Sequence, residues 1–180
     1  NQFLKKFAKN NRMSSKAKII GVTGSTGKTS LKNLLGETLN LYKSTYSSPR
    51  SYNNQYGVPL SLSNLKFSHK FGIFEIGMSN KGEINNLAKL VSPDLGIITN
   101  VGEAHIENFK NIHGIAKAKS EIINNIKKNG TLILKRDDIF FNFFKKKAIK
   151  NGLNLVTFGF SKKADVFPIS HRRIGNLMVY

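Results

Sequence analysis

The stretch VTGSTGKTS at 22–30 has the residue types of a loop that binds phosphate groups. Gly24 and Gly27 allow the backbone bends through which N–H groups face phosphate oxygens. Lys28 supplies a positive charge for the outer phosphates, and Thr29 supplies a hydroxyl group that can ligate magnesium. The commoner loop, G-x-x-x-x-G-K-[ST], has glycine at the position where this chain has Val22. The stretch therefore follows the shorter pattern T-G-x-x-G-K-[ST].

Glu75 is a candidate metal ligand, because it lies in the apolar run FGIFEI at 71–76, near the end of a predicted strand. An ionised carboxylate is costly to bury unless a cation or hydrogen bonds compensate for its lost hydration. Magnesium is such a cation, and carboxylates are its usual protein ligands. The alternative is a glutamate on an edge strand whose side chain faces solvent.

His105 follows another predicted strand, at 95–100, in a loop that also contains Glu103 and Glu107. A histidine in a loop is often an ordinary surface residue. In a parallel sheet, however, ligands bind at the carboxyl ends of the strands. Since the phosphate loop, Glu75 and His105 each follow a different strand, we expect them to meet at one edge of the sheet.

Lys119 lies on the apolar side of a predicted helix at 112–128. The other residues of this stripe are Ile112, Ile115, Ala116, Ile122, Ile123 and Ile126. Burial lowers the pKa of a lysine because the charged form loses hydration. A neutral amine can react with carbon dioxide to give a carbamate, which is an oxygen ligand. The alternative is a side chain that runs along the apolar surface and sends its ammonium to solvent.

Short apolar runs alternate with helical patterns along the chain. Strands are predicted at 18–23, 71–76, 95–100, 131–135 and 154–158, and helices at 28–41, 81–91 and 112–128. The alternation predicts an α/β fold with a P-loop-type, mostly parallel sheet flanked by helices on both faces. Residues 1–16 are predicted to form a basic helix or linker before a domain at 17–180, with one more possible strand near 176–180.

The composition favours one folded domain, because 180 residues with 39% hydrophobic residues suffice for a core. Cysteine is absent, which excludes disulfides and thiolate metal sites and favours a reducing cytoplasm. No run of about 18 apolar residues is present that would span a membrane.

The net charge of +19, from 29 basic and 10 acidic residues, raises the alternative of a basic P-loop protein that binds nucleic acid. Such a protein would cluster its basic residues with stacking aromatics on one face. Here the lysines are spread from end to end and arginine is scarce, as a biased genome composition would produce.

The motifs together resemble the central ATP-binding domain of the Mur ligase family, the ATP-dependent amide ligases of peptidoglycan precursor synthesis. The matching strings are TGSTGKTS at 23–30, YNNQYGVPL at 52–60, EIGMSNKGEI at 75–84, ITNVGEAHIENF at 98–109 and GIAKAKSEI at 114–122. The similarity covers residues 17 to about 166. The strings N-N-x-x-G-V-P and E-I-G-M-S favour the member that joins D-alanyl-D-alanine to a UDP-linked muramoyl tripeptide. Another Mur-type or folylpolyglutamate-type ligase is the alternative.

The resemblance implies a role for each candidate residue. The ATP phosphates would be bound by Gly24, Ser25, Thr26, Gly27, Lys28, Thr29 and Ser30, with Asn53 and Asn54 near the phosphates or the substrate. Thr29 and Glu75 would bind one Mg²⁺, and Glu75, His105 and a carbamylated Lys119 would bind a second. The catalytic candidates are thus Lys28, Glu75, His105 and Lys119. In the implied reaction a substrate carboxylate attacks the γ-phosphorus of ATP, and the amine of D-alanyl-D-alanine then displaces phosphate.

The resemblance also implies what the 180 residues lack. The family usually carries Asn-x-Asp-Asp after the strand at 131–134, with the asparagine near adenine, whereas this chain has Lys135-Arg136-Asp137-Asp138. The family's UDP-binding and C-terminal domains are also missing, so we expect little or no ligation by this chain alone; a remnant that only binds is a further alternative. The remaining expectations are a cytoplasmic monomer with no nucleic-acid partner and no membrane span.

Overall fold

Six parallel strands form a sheet at the centre of the protein, in the order β2-β3-β1-β4-β5-β6. The strands are β1 (Lys18–Thr23), β2 (Thr45–Ser47), β3 (Phe71–Glu75), β4 (Leu95–Ile98), β5 (Thr131–Lys135) and β6 (Asn154–Phe158). β1 pairs with β3 on one side and with β4 on the other, and the chain crosses from β3 over β1 to β4. Ligands of open parallel sheets bind at the carboxyl ends of the strands where the order changes direction in this way.

The computed structural model describes residues 2–170 and the backbone of 172–174 and 177–179. Near the end of the chain, β7 (Arg172–Ile174) and β8 (Leu177–Val179) form an antiparallel pair. Part of the strand predicted near 176–180 is therefore found, while residues 176 and 180 lie outside the described residues.

Six α-helices accompany the sheet in the described part of the chain. They are α1 (Gln2–Ser14), α2 (Lys28–Asn40), α3 (Gly57–Ser63), α4 (Glu83–Val91), α5 (Ile112–Lys119) and α6 (Phe141–Lys150). The single helix predicted at 112–128 is wrong, because α5 ends at Lys119 and a 3₁₀ helix continues over Ser120–Asn125. Asn129, which follows this segment, has a left-handed φ of 61°. The remaining helices and strands that were not predicted are β2, α3 and α6.

Two apolar clusters cover the faces of the sheet and confirm that helices lie on both. The smaller cluster contains the β-strand residues Ile20, Val22, Ile73 and Ile97, which pack against leucines of α2. The larger one joins the opposite face of the sheet to α1, α3, α4, α5 and α6. This packing holds the carboxyl end of β1 between helices, so the loop after β1 is positioned by the core.

α1 packs onto the domain through one side of the helix. Ala8 is fully buried and Arg12 is 6% exposed. The Asn11 amide donates hydrogen bonds to three carbonyl oxygens at the end of α3, and the Arg12 guanidinium donates to Val91 and Ser92 at the end of α4. These side chains satisfy terminal carbonyl groups that a helix cannot pair internally. α1 is therefore held in a fixed orientation.

None of the described helices combines the length and the apolar character needed to cross a membrane.

Candidate functional site

The loop between β1 and α2 has the two bends that the sequence predicts. Gly24 has φ 151°, and a Cβ atom there would lie 1.8 Å from the Thr99 hydroxyl oxygen. Gly27 has φ 77° and immediately precedes the first turn of α2. The first N–H groups of a helix have no internal partner, and they carry the positive end of its dipole. The start of α2 is therefore a suitable anion site.

Asn100 occupies two N–H groups of this loop, a contact that the sequence analysis missed. Its backbone oxygen accepts from the Ser25 N–H at 3.0 Å, and its side-chain oxygen accepts from the Thr26 N–H at 3.0 Å. Its amide also donates to the Thr26 hydroxyl at 2.9 Å. Ser25 and Thr26, both expected to contact phosphate, thus use these N–H groups to fix the loop, and the candidate phosphate donors are those of residues 27–30.

A second contact connects the phosphate loop to the loop that carries His105. The Ser25 hydroxyl donates to the Gly102 oxygen at 2.9 Å and accepts from the Gly102 N–H at 2.8 Å. Asp138 fastens the same segment from the other side, because its carboxylate accepts from the Val101 N–H at 2.9 Å. The loops after β1, β4 and β5 therefore form one hydrogen-bonded rim.

Replacing Asn100 with alanine is expected to loosen this rim. The two lost side-chain contacts to Thr26 lie near the surface, so the free energy of unfolding should fall by only about 1 kcal/mol. Nucleotide affinity should fall several-fold, because part of the binding energy then orders the loop. Thermal unfolding and ATP titration of Asn100→Ala check both effects; an unchanged nucleotide affinity would contradict the role given to Asn100.

Glu75, at the end of β3, is 1% exposed, which excludes the solvent-facing alternative. One carboxylate oxygen accepts from the Thr29 hydroxyl at 2.8 Å, and the other accepts from the Asn53 amide at 2.7 Å. Three segments that are far apart in sequence thus meet at this carboxylate. Its two hydrogen bonds supply part of the compensation that a buried anion needs.

Lys32 is a further buried cation that the sequence analysis missed. It is fully buried under α2, and its ammonium donates to the backbone oxygens of Ser48 at 2.6 Å and Arg50 at 2.5 Å. Burial lowers its pKa, while the Glu75 carboxylate opposes that shift. By holding residues 48–50, Lys32 fixes the start of the segment that brings Asn53 to Glu75. The sequence signal for its burial was the helical spacing of Lys32 from Leu35 and Gly36, which places all three on the inner side of α2.

Asn54 differs from its neighbour, because its side-chain oxygen accepts from the N–H groups of Tyr56 and Gly57 at the start of α3. Asn54 thus caps N–H groups at the start of α3, a role that asparagine often has at helix N-termini. Asn54 nevertheless lines the same cavity as Asn53.

Lys119, the last residue of α5, is 2% exposed, so its side chain does not reach solvent as the alternative required. Burial, together with the smaller effect of the nearby Lys28 charge, lowers the pKa of Lys119 to about 7. Within the described residues, no carboxylate forms an ion pair with it. A substantial fraction of a lysine with this pKa is neutral at physiological pH, which is the form that reacts with carbon dioxide.

Lys28 and His105 complete the set of candidate catalytic residues. The Lys28 ammonium donates to the backbone oxygens of Gly24 at 2.8 Å and Ser25 at 3.2 Å, and burial lowers its pKa against the attraction of Glu75. His105 has φ 64°, in the left-handed region that histidine tolerates better than most residues. Its side chain is 48% exposed and its Nδ1 lies 3.9 Å from a Glu107 carboxylate oxygen.

A single cavity of about 700 Å³ brings most of these residues together. Of the predicted site residues, those that line it are Gly24, Lys28, Asn53, Asn54, His105 and Lys119. Thr29 and Glu75 do not line the cavity. Glu75 accepts hydrogen bonds from Thr29 and from Asn53, and Asn53 lines the cavity. The predicted meeting of three strand ends at one edge is therefore observed. Ser25, Thr26, Gly27 and Ser30 are not among the lining residues.

The oxygen donors at Glu75 fit a magnesium ion. Within the described ranges, no three His, Asp or Glu side chains gather closely enough to hold a metal. Magnesium does not require such a cluster, because it usually keeps several waters and is bound by one or two carboxylates together with substrate phosphates. The Thr29 hydroxyl and the Glu75 carboxylate, 2.8 Å apart beside the phosphate loop, have this chemistry.

The segment 135–138, which departs from the expected Asn-x-Asp-Asp, has a structural role. Asp137 accepts hydrogen bonds from the N–H groups of Phe160 and Ser161, and Asp138 accepts from Val101. Both acids therefore fasten loops around the end of β5.

The comparisons with known proteins agree with this geometry. Residues 22–175 match the Mur ligase middle domain. The UDP-N-acetylmuramoyl-tripeptide--D-alanyl-D-alanine ligase of Buchnera aphidicola subsp. Acyrthosiphon pisum is 41% identical over 152 residues, which are 84% of this chain and 33% of that protein. A crystal structure of MurF from Acinetobacter baumannii has a TM-score of 0.88 at 32% identity, covering 94% of this chain and 37% of that one.

A second solved structure adds a bound nucleotide. The MurF ligase from Thermotoga maritima in complex with ADP has a TM-score of 0.87 at 29% identity, covering 98% of this chain and 40% of that one. The chain spans about a third of the length of the curated relatives it matches. The five motifs, the parallel sheet and these matches lead to one conclusion: the chain belongs to the Mur ligase family and corresponds to its middle domain.

Proposed function

We propose that the chain is the ATP-binding part of an ATP-dependent amide ligase that joins D-alanyl-D-alanine to UDP-N-acetylmuramoyl-tripeptide in peptidoglycan precursor synthesis. The observation that carries the proposal is the cavity in which Lys28, His105 and Lys119 meet beside the Thr29–Glu75 pair. Relatives of this chain bear the name of that ligase, and one solved relative contains ADP. We further propose that the protein is a cytoplasmic monomer without a nucleic-acid partner.

In the proposed reaction the residues of this domain bind and orient ATP and the substrate that carries the carboxylate. A substrate carboxylate oxygen attacks the γ-phosphorus, the bond to the β-phosphate oxygen breaks, and ADP leaves. The amine of D-alanyl-D-alanine then attacks the acyl carbon, loses a proton and displaces phosphate. Holding the reactants in line supplies much of the acceleration in such reactions.

The chain's own groups would stabilise the charge on the transferred phosphoryl group. The Lys28 ammonium and the N–H groups at the start of α2 would contact the phosphates, where preorganised positive charge is most effective. Thr29 and Glu75 would hold one magnesium ion, and Glu75, His105 and a carbamate of Lys119 would hold a second. When bound, magnesium supplies Lewis-acid neutralisation of phosphate oxygens.

Titration with ATP tests the proposed nucleotide site. Wild-type protein should bind ATP more tightly with Mg²⁺ than with EDTA. Lys28→Gln should weaken binding by about 10- to 100-fold, because a charge-assisted contact contributes roughly 1.5–3 kcal/mol. Isothermal titration calorimetry measures both quantities.

Lys43→Gln is the matched control, because Lys43 is exposed and does not line the cavity. It should bind ATP as the wild type does. Binding that is indifferent to Mg²⁺ and to Lys28→Gln would contradict the proposal. A parallel titration with duplex DNA tests the nucleic-acid alternative, which expects tight, salt-dependent binding.

A further inference from the structure

Two lysines of α1, Lys5 and Lys9, line the same cavity as the residues considered so far. Lys5, Ala8, Lys9 and Arg12 have the spacing i, i+3, i+4 and i+7, so they share one side of the helix. Ala8 and Arg12 are the buried residues of that side. Lys5 and Lys9 lie on this same side of α1 but are exposed, and both line the cavity.

The hydrogen bonds that fasten α1 also fix which side of the helix faces the cavity. Asn11 and Arg12 bind the carboxyl-terminal ends of α3 and α4, and Arg12 lies 3.6 Å from Asp94. A helix held at two such ends cannot rotate without breaking buried contacts. Neighbouring side chains one turn apart have Cβ atoms about 5–6 Å from each other. Lys5 and Lys9 can therefore contact one diphosphate, or one carboxylate group, together.

The cavity carries far more positive than negative charge. Five lysines line it, namely Lys5, Lys9, Lys28, Lys89 and Lys119, against a single acid, Glu83. Glu83 is already engaged, because its carboxylate accepts from the N–H groups of Ser79 at 2.7 Å and Asn80 at 3.2 Å, which lower its pKa. Among the residues that the structure describes, no carboxylate forms an ion pair with Lys5 or Lys9. A concave surface lined by unpaired cations concentrates anions.

The phosphate loop and α1 contribute separate groups of positive charge to this cavity. Lys28 and Lys119 belong to the end where ATP phosphates are proposed to bind, whereas Lys5 and Lys9 come from a helix outside that loop. The proposed reaction has a second polyanionic substrate, since a UDP-linked muramoyl peptide carries both phosphate and carboxylate groups. A second cationic site in the same cavity matches that requirement.

We propose that Lys5 and Lys9 bind an oxyanion of the substrate whose carboxylate is activated, so that α1 is a substrate-binding element of the domain. This inference rests on the proposed function. The bound oxyanion is either the diphosphate of the UDP group or a carboxylate of the peptide, and these two sources can be separated experimentally.

The test compares the 180-residue chain with the double variant Lys5→Gln/Lys9→Gln, each saturated with Mg²⁺ and a non-hydrolysable ATP analogue. Three ligands are titrated by calorimetry: UDP-N-acetylmuramoyl-tripeptide, UDP alone, and the muramoyl tripeptide without UDP. The double variant should bind the complete substrate at least about 10-fold more weakly, since two charge-assisted contacts are lost. Weakened binding of UDP alone identifies the diphosphate as the source, and weakened binding of the peptide alone identifies a carboxylate.

The double variant Lys6→Gln/Lys16→Gln is the matched control. It removes the same charge from the same segment, and both lysines are exposed and do not line the cavity. It should bind all three ligands as the wild type does. Thermal unfolding should be unchanged in both double variants, because Lys5 and Lys9 are also exposed.

The inference is overturned if Lys5→Gln/Lys9→Gln binds the complete substrate as the wild type does, or if the wild type binds none of the three ligands. It is also overturned if the variant loses affinity for Mg²⁺-ATP by the same factor, which would assign the lysines to the nucleotide. Failure of the wild type to bind Mg²⁺-ATP would instead refute the proposed function. In that case the role of Lys5 and Lys9 is tested separately, by titrating UDP and the muramoyl tripeptide without nucleotide into the wild type and both double variants.

Discussion

Replacing Glu75 with glutamine is expected to remove most of the magnesium-dependent part of nucleotide binding. The substitution keeps the size of the side chain but removes the negative charge that lies 2.8 Å from the Thr29 hydroxyl. Magnesium binds neutral amide oxygens far less well than carboxylates. Losing a buried charged partner typically costs about 2–5 kcal/mol, so ATP affinity in Mg²⁺ should fall by roughly 30- to 4,000-fold.

The readout is the ratio of ATP affinities measured with Mg²⁺ and with EDTA. For Glu75→Gln this ratio should approach one, while affinity in EDTA stays near the wild-type value. Glu37→Gln is the control, because Glu37 is an exposed acid on α2, and it should keep the wild-type ratio. A full magnesium effect in Glu75→Gln would show that the ion is held elsewhere.

Replacing Lys119 with methionine is expected to stabilise the protein at low pH. The folded-state pKa of Lys119 is about 7, below its ordinary value of 10.5, because burial disfavours the charged form. Below pH 7 the lysine is protonated in both the folded and the unfolded chain, so the full cost of burying the charge is present. Between about pH 7 and 10.5 the unfolded chain binds the proton and the folded chain does not, so wild-type stability rises with pH.

Lys119→Met removes this cost, so it should be more stable than the wild type by about 1–3 kcal/mol at pH 6. The difference should shrink as the pH rises from 7 towards 10. Urea unfolding at pH 6, 7.5 and 9.5 in buffers freed of carbon dioxide measures it, since carbamate formation would also relieve the charge. Lys117→Met, at an exposed position of the same helix, should show no such dependence on pH. An equal effect of Lys119→Met at all three pH values would contradict a buried amine with a lowered pKa.

The local patterns of the sequence determined much of this fold. Strands such as Lys18–Thr23 and Thr131–Lys135 are found where their apolar runs predict them, because strands buried on both faces must be apolar. The inward position of Lys119 also followed from the helical period alone. Both predictions depend only on residues that are close in the chain.

Elements with weak local signals were missed. β2 has three residues and α3 has seven, including Pro59, so neither shows a full period. The apolar spacing of the helix predicted at 112–128 continues past Lys119, but the α-helix ends there and a 3₁₀ helix follows. A 3₁₀ turn also places apolar residues on one side, so the spacing alone does not reveal the change. Tertiary packing, rather than local preference, set these boundaries.

The sequence by itself determined that a phosphate loop, a buried acid and a loop histidine lie at the carboxyl ends of strands of one parallel sheet, and that a lysine faces inward from a helix. Only the tertiary structure decided which atoms meet: Asn53 with Glu75, Asn100 with the phosphate loop, and the lysines of α1 with the same cavity. The physical reason is that periodicity specifies the side of an element on which a residue lies, whereas hydrogen bonds between distant segments depend on how whole elements pack. The first two of these contacts, formed across intervals of 22 and 74 residues, have no local pattern in the chain.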